Sequence, residues 1–373
     1  MNEQELIAFF QDIHAHPELG FQETRTTERV LRVLRENGIE VLDSGLETGA
    51  IAAIGPEGGR VIALRCDMDA LPVQEESGLA YASEYPGKMH ACGHDMHTTV
   101  MLGAALLLKA REKELPGRVK IIFQPAEEVD NGAKRVLATG LLQDVEEFYG
   151  IHSYPWFAPG TLGIKEGPVM AAPDGFQIVI RGKGSHAAQP HKGLDPIPAA
   201  ASLTLAAQHI ISRGMDPFAP AVVSITHLEA GTTWNVIPES ALLEGTVRTL
   251  RPEDRVYIRS ALERVALSTA ESYGCTAEFT WKEGSPAVIN DAALCGFAKE
   301  IAQEMGFQVD RQEDTMGGED FSEYLQQAPG VFIRVGTGGN YANHHPRFTV
   351  DPAAIAPAAR FFARLAEARL GAK

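Results

Sequence analysis

Between Phe176 and Lys282 the chain reads strand, helix, strand, strand, helix, strand, and this order limits its folding more than any other feature. The strands are Phe176–Gly182, Ala221–Leu228, Ala241–Leu250 and Thr276–Lys282; the helices are Ile197–Arg213 and Pro252–Tyr273. A βαββαβ run closes as a split βαβ, a four-stranded sheet backed by two helices. It fills about 110 residues and reads as an insertion, because strand–helix alternation of another kind flanks it on both sides.

On the N-terminal side, Glu3–His16 and Glu23–Asn37 read as helices, the second followed by Gly38. Gly49–Ile54, Arg60–Cys66 and Val119–Phe123 read as short buried strands, with a helix from His97 to Lys113 between the last two. After Ser285 come helices Asp291–Met305 and Phe321–Gln327, strand Val331–Val335 and a final helix from Pro352. The expected organisation is an α/β catalytic domain in two segments, 1–174 and 285–373, interrupted by an inserted domain, 175–284. Polar residues just beyond the strand ends of such a sheet are where ligands bind.

The residues beyond those strand ends carry the chemistry. In Met89-His-Ala-Cys-Gly-His-Asp-Met-His97, four potential soft or borderline ligands fall within eight residues, and Gly93 lets Cys92 and His94 turn to one point. Thiolate with imidazole suits zinc, manganese, cobalt or nickel rather than calcium. Gln124-Pro-Ala-Glu127-Glu128 closes another strand. Adjacent carboxylates are commonly a solvated pair, yet after an apolar strand and a proline they fit a pocket. There, one can hold metal while the other takes a proton from water. His152 and the pair His344-His345 also lie near strand ends; a lone histidine is more often structural, and it is their number near the strand ends of one sheet that points to a site. Asp67 and Asp69, after strand Arg60–Cys66, are candidates for orienting the imidazoles. Within the insert, His186 and Asn235 could donate to an oxyanion and Arg248 could fork onto a carboxylate, but read alone the ordinary loop and strand roles are favoured for them.

Charge and cysteine usage restrict the partners. The 49 acidic and 33 basic residues give a formal charge of −16, which disfavours nucleic acid and anionic membrane. The N-terminus lacks the basic start and apolar core of a signal peptide, and no apolar run approaches the ~20 residues of a membrane span. Cys66, Cys92, Cys275 and Cys295 show no paired spacing and read as reduced thiols of a soluble, cytoplasmic chain.

Taken in order and spacing, Asp67-Met-Asp-Ala-Leu-Pro, Met89-His-Ala-Cys-Gly-His-Asp, Gln124-Pro-Ala-Glu-Glu, Gly317-Gly-Glu-Asp-Phe and His344-His-Pro-Arg-Phe resemble the hippurate hydrolase, or N-acyl-amino-acid amidohydrolase, branch of the aminoacylase-type metallopeptidases. That branch includes N-acetyl-diaminopimelate deacetylases and auxin-conjugate hydrolases. The resemblance covers essentially the whole chain. It implies a mixed-sheet, metallo-aminopeptidase-like catalytic domain with a ferredoxin-like α+β lid that also serves as a homodimer surface. It implies one or two divalent ions per subunit, held by Cys92, His94, Glu128, His152 and His344. It assigns the general base to Glu127, places Asp69 and His186 with it in catalysis, and gives substrate contacts to His186, Asn235 and Arg248. Asp67 stands where more distant relatives carry a histidine.

The expected reaction is metal-dependent hydrolysis of the amide bond of small N-acyl amino acids, with lid closure excluding water. A dipeptidase or carboxypeptidase on the same scaffold is the near rival. A non-catalytic metal-binding protein is another, which leaves an unligated Glu127 without a purpose. A cysteine hydrolase built on Cys92 is a third, and it would survive chelation.

Overall fold

The computed structural model describes residues 1–129, 132–311 and 313–371. The chain forms two compact units: Met1–Gly167 with Ile289–Glu313 and Asp320–Lys373, and Pro168–Val288 with Asp314–Glu319. The short run Asp314–Glu319, expected in the second catalytic segment, thus packs with the smaller unit.

In the larger unit an eight-stranded mixed sheet runs in the order Glu40–Val41, Ala50–Ile54, Arg118–Gln124, Val61–Asp67, Glu147–Tyr154, Gly330–Gly336, Thr161–Gly163, Gln308–Asp310. Its four central strands, from Arg118–Gln124 to Gly330–Gly336, are mutually parallel, while Ala50–Ile54 is antiparallel to its neighbours. Val61–Asp67 and Arg118–Gln124 are buried at every position, which explains why they read as continuous apolar runs without alternation. Helices Glu3–Ala15, Thr24–Glu36, His94–Ala110, Ala292–Glu304 and Ile355–Gly371 contribute to one large apolar core with these strands.

Two elements differ from expectation in ways that matter for the site. The helix expected from His97 begins at His94, because Gly93 takes the left-handed conformation at φ +84° and starts the helix three residues earlier. The segment expected as helix Phe321–Gln327 is a 3-10 helix, Asp320–Gln326. Its tighter winding accompanies a buried Asp320 that is bonded to other segments of the unit.

The smaller unit holds an antiparallel sheet in the order Ala221–Ala230, Ser240–Thr249, Ala172–Arg181, Thr276–Lys282. Numbered along the chain, these are the second, third, first and fourth strands, the arrangement of a split βαβ. Ala172–Arg181 alternates buried with half-buried residues, so one face meets the helices. Those helices, Pro196–Gly214 and Pro252–Ser272, complete a separate core around Phe176, Ile178, Leu203 and Leu262.

Candidate metal centre

Gly93 brings Cys92 and His94 together. Its left-handed φ favours glycine, and a Cβ there would lie 2.9 Å from the Ser153 side chain. Across from this turn, His152 leaves the strand Glu147–Tyr154, and its Nδ1 lies 2.7 Å from the Ser153 carbonyl. A carbonyl only accepts, so Nδ1 carries the proton and Nε2 presents a lone pair, 3.5 Å from Cys92 Sγ. His94 is oriented in the same manner, with Nδ1 3.3 Å from Asp69 Oδ1. The other face is closed by Glu128, whose Oε1 lies 3.8 Å from His94 Nε2 and 3.2 Å from His344 Nε2.

All five expected ligands therefore meet in the larger unit. Cys92, His94 and His152 form one group, and Cys92, Glu128 and His344 another, with ligand atoms within 4.8 Å of one another in each. His344 rather than its neighbour faces Glu128: its backbone N–H donates to the Ala91 carbonyl at 2.8 Å and φ is +69°. His345 instead stacks on Tyr341 with ring centroids 4.4 Å apart, and its Nδ1 accepts the Arg347 N–H.

Two atoms test whether a cation fits here. His94 Nε2 and Glu128 Oε1 are buried and make no hydrogen bond within the protein. Leaving such groups unpaired is costly unless a ligand completes them. The electrostatics agree. Burial opposes a charge on His94, yet the Asp67 carboxylate and the Asp69 hydrogen bond hold its pKa well above the ordinary value. Burial and the Glu128 carboxylate push the Cys92 thiol up to about 12. The residues thus attract positive charge, and a soft divalent ion would replace the proton on sulfur.

His97 closes the run Met89–His97 but is not aimed at this point. Ser153 N–H donates to its Nε2 at 2.6 Å, so its Nδ1 carries the proton that Asp67 Oδ1 accepts at 2.6 Å. Asp67 is in turn bonded to Arg65 at 2.7 Å, and Arg65, fully buried, also reaches Gln124 at 2.8 Å and Asp320 at 2.7 Å. Asn343 Nδ2 donates to Ser153 Oγ at 2.9 Å, and that hydroxyl donates to the Cys92 carbonyl at 2.7 Å. Arg65, Gln124, Asp320, Ser153 and Asn343 have no role that the sequence alone makes plain. An arginine in the middle of an apolar strand was the one available sign of a buried charge network.

The paired glutamates end the strand Arg118–Gln124 in a short 3-10 turn, Glu127–Val129. Asp69 accepts the Glu127 N–H on Oδ1 and the Glu128 N–H on Oδ2, both at 3.0 Å. One carboxylate therefore fixes His94 and both glutamates, and Asp69 acts on the site by holding it. Glu127 is half-buried, within 4.8 Å of His94 and Glu128 by its carboxylate oxygen, and stands outside both groups that contain Cys92.

The expected substrate residues lie in the smaller unit. His186 and Asn235 are brought together where strands Ser185–His186 and Val236–Ile237 pair, with Ala187 N–H donating to the Asn235 carbonyl at 3.0 Å. His186 Nδ1 accepts the Ala188 N–H, so its proton sits on Nε2. Asn235 Oδ1 accepts from Thr233, leaving the amide NH2 as a donor. Arg248 is half-buried in Ser240–Thr249, opposite Val222 and Pro173.

Residues 63–368 match the model of peptidase family M20/M25/M40. The chain is 48% identical over 363 residues to the N-acetylcysteine deacetylase of Bacillus subtilis (strain 168), covering 97% of this chain and 96% of that one. It is 38% identical to the IAA-amino acid hydrolase ILR1-like 4 of Arabidopsis thaliana, covering 93% of this chain and 81% of the relative. Among solved structures it resembles the Bacillus subtilis YXEP protein, a dinuclear metal-binding peptidase of the M20 family. That match has a TM-score of 0.92 at 45% identity and covers 100% of this chain and 99% of the other.

Proposed function

Because this chain belongs to peptidase family M20/M25/M40, we propose that it is a metal-dependent amidohydrolase that cleaves small N-acyl amino acids into a carboxylic acid and a free amino acid. The observation that carries the reading is the pair of candidate ligand groups sharing Cys92, in which His94 Nε2 and Glu128 Oε1 are buried without a hydrogen bond, beside a second glutamate outside both groups. The deacetylase and amino acid hydrolase relatives give the substrate class.

Cys92, His94, Glu128, His152 and His344 would hold one or two divalent ions, with manganese, zinc, cobalt and nickel all suited to the donor set. Bound there, such an ion would supply Lewis acidity for an amide carbonyl and for a water. Glu127 takes the proton of the attacking water and returns it to the leaving amine. Asp69 keeps Glu127 and Glu128 in register for their separate tasks. We assign the donors of His186 and Asn235 to the developing oxyanion and Arg248 to the substrate carboxylate. We further propose a homodimer through the smaller unit, where Ala221–Ala230 is an edge strand able to pair with a second copy. All four cysteines are free, which suits a reducing cytoplasm, and no helix among the described residues is long and apolar enough to cross a membrane.

The deciding experiment assays chelated and metal-reconstituted protein on N-acetyl and N-benzoyl amino acids beside unblocked dipeptides. Turnover of the acylated substrates that disappears on chelation and returns with metal is expected. Hydrolysis restricted to dipeptides with a free α-amine would replace this reading with that of a peptidase, the designation carried by YXEP. Activity that persists without metal would point to Cys92 as a nucleophile.

A further inference from the structure

Glu23 occupies the N-cap position of helix Thr24–Glu36 yet makes no capping bond. Glu18 does that work, accepting the N–H groups of Arg25 at 3.0 Å and Thr26 at 2.8 Å. The Glu23 carboxylate is instead fully buried, and its Oε1 accepts the N–H of Ala126, 103 residues away, at 2.8 Å. Ala126 immediately precedes the paired glutamates and has φ +56°, a left-handed conformation that disfavours a residue with a Cβ. Such strain persists only where its surroundings enforce it, and it gathers at functional sites. Among the described residues three non-glycines have positive φ: Ala126, His344 and Phe21. His344 is a candidate ligand, and Phe21 lies two residues before Glu23, its ring under the Arg135 guanidinium at 4.1 Å. The two segments touch, since a Cβ on Gly20 would lie 3.0 Å from Val129 Cγ2 and 3.2 Å from Ala126 Cβ.

We propose that Glu23 is a positioning residue that locks the Pro125–Ala126 turn in its left-handed form and so presents Glu127 and Glu128. With Asp69 it completes a clamp: the consecutive N–H groups of residues 126, 127 and 128 are accepted by Glu23 Oε1, Asp69 Oδ1 and Asp69 Oδ2. Three successive N–H groups held by two carboxylates leave the turn little freedom, and both glutamate side chains inherit that geometry. A residue needed only for packing at a fully buried position would be apolar, because burying a carboxyl is costly. The cost is visible here: burial, with the nearby Asp69 charge, pushes Glu23 up to about 7.

The roles assigned to the two glutamates rest on the hydrolase reading above, so the test measures metal binding as well as turnover. Zn²⁺ dissociation constants come from competition titration, and kcat and KM from N-acetyl amino acids. Glu23→Ala is expected to weaken Zn²⁺ binding about 10–100-fold, as loss of an outer hydrogen-bonding partner does. It should also lower kcat by at least tenfold while KM stays within about threefold, the pattern of a misplaced base. Glu23→Gln, which keeps an acceptor oxygen, should restore both. Adding Ala126→Gly to Glu23→Ala should recover much of the loss, because glycine adopts positive φ without strain.

Wild-type Zn²⁺ affinity and kcat in Glu23→Ala would overturn the proposal. So would a loss that neither Glu23→Gln nor Ala126→Gly relieves, since a purely structural fault gives that pattern. If wild-type protein turns over no acylated amino acid but the Zn²⁺ series behaves as stated, the hydrolase reading falls and the clamp stands. Should Glu23→Ala fail to fold, Glu23→Asp decides: it keeps the carboxylate but draws it back from Ala126 by one methylene. It should lose Zn²⁺ affinity and regain it with Ala126→Gly, and wild-type affinity in that variant overturns the proposal.

Discussion

His14 lies in a buried polar cluster apart from the ligands, with Nδ1 2.6 Å from Asp95 Oδ2 and Nε2 3.2 Å from Glu75 Oε1. Burial opposes its charge, but the Asp95 hydrogen bond and the Glu75 partner raise its pKa to about 9. The folded value exceeds the unfolded value of about 6.5. Its stabilising contribution is therefore complete below about pH 6.5 and lost as pH rises through about 9. Replacing His14 with Gln at pH 6 leaves two buried carboxylates without their cation, a loss of about 3–5 kcal/mol. Near pH 10 the wild type has already lost the charge, so the difference should shrink to that of altered packing. Urea unfolding at the two pH values checks this, and an equal gap at both would show that His14 is not held as a cation. If Glu127 is the base proposed above, Glu127→Gln should keep bound metal and lose at least about 100-fold in kcat, measured with metal content alongside turnover. The candidate ligands Cys92, His94 and Glu128, with Glu127 beside them, are legible because they stand in short clusters. Arg65, His97 and Glu23 are not, because their meaning lies in partners 255, 56 and 103 residues away.

Among the elements, the buried strands Ala50–Ile54, Val61–Asp67, Arg118–Gln124 and Gly330–Gly336 and the long helices are readable from apolar runs, and the split βαβ from its order; the central strand Glu147–Tyr154 is not. Three-residue strands such as Thr161–Gly163 and Gln308–Asp310 are not, since periodicity needs more residues than they have. The early start of helix His94–Ala110 shows how a local backbone event can outweigh side-chain pattern. Gly93 turns the chain, so His94 opens the helix while Cys92 remains outside it. Gly93→Ala would force a Cβ into positive φ and against Ser153 at 2.9 Å. The expected outcome is a loss of about 1–3 kcal/mol in stability and weaker metal binding, because Ser153 Oγ also holds the Cys92 carbonyl. Thermal unfolding with and without added Zn²⁺ measures both, and a variant with wild-type Tm in each condition would refute the account. The left-handed Ala126 is a parallel case in which no glycine marked the turn, and the sequence offered no sign of it.

For the whole molecule, the two cores make a distinction that the metal can report. The expected ligands come from four separated stretches of the chain, around residues 92–94, 128, 152 and 344, all within the larger unit. An ion joining them acts as a cross-link between the helix His94–Ala110, the ends of two strands and the loop carrying His344. The smaller unit has its own apolar core around Phe176, Ile178 and Leu243 and supplies none of the five. An ion that binds only the folded state at 100 times its Kd adds about 2.7 kcal/mol of stability. That increment should appear in the larger unit alone. Hydrogen exchange followed by mass spectrometry on chelated and Zn²⁺-loaded protein reads it segment by segment. Removing metal should speed exchange in peptides covering residues 89–97, 124–129, 147–154 and 337–349. Helices Pro196–Gly214 and Pro252–Ser272 should exchange at unchanged rates. Equal acceleration in those helices would mean that the two units open as one, and that the ion's stabilisation is shared by a core that supplies none of its expected ligands.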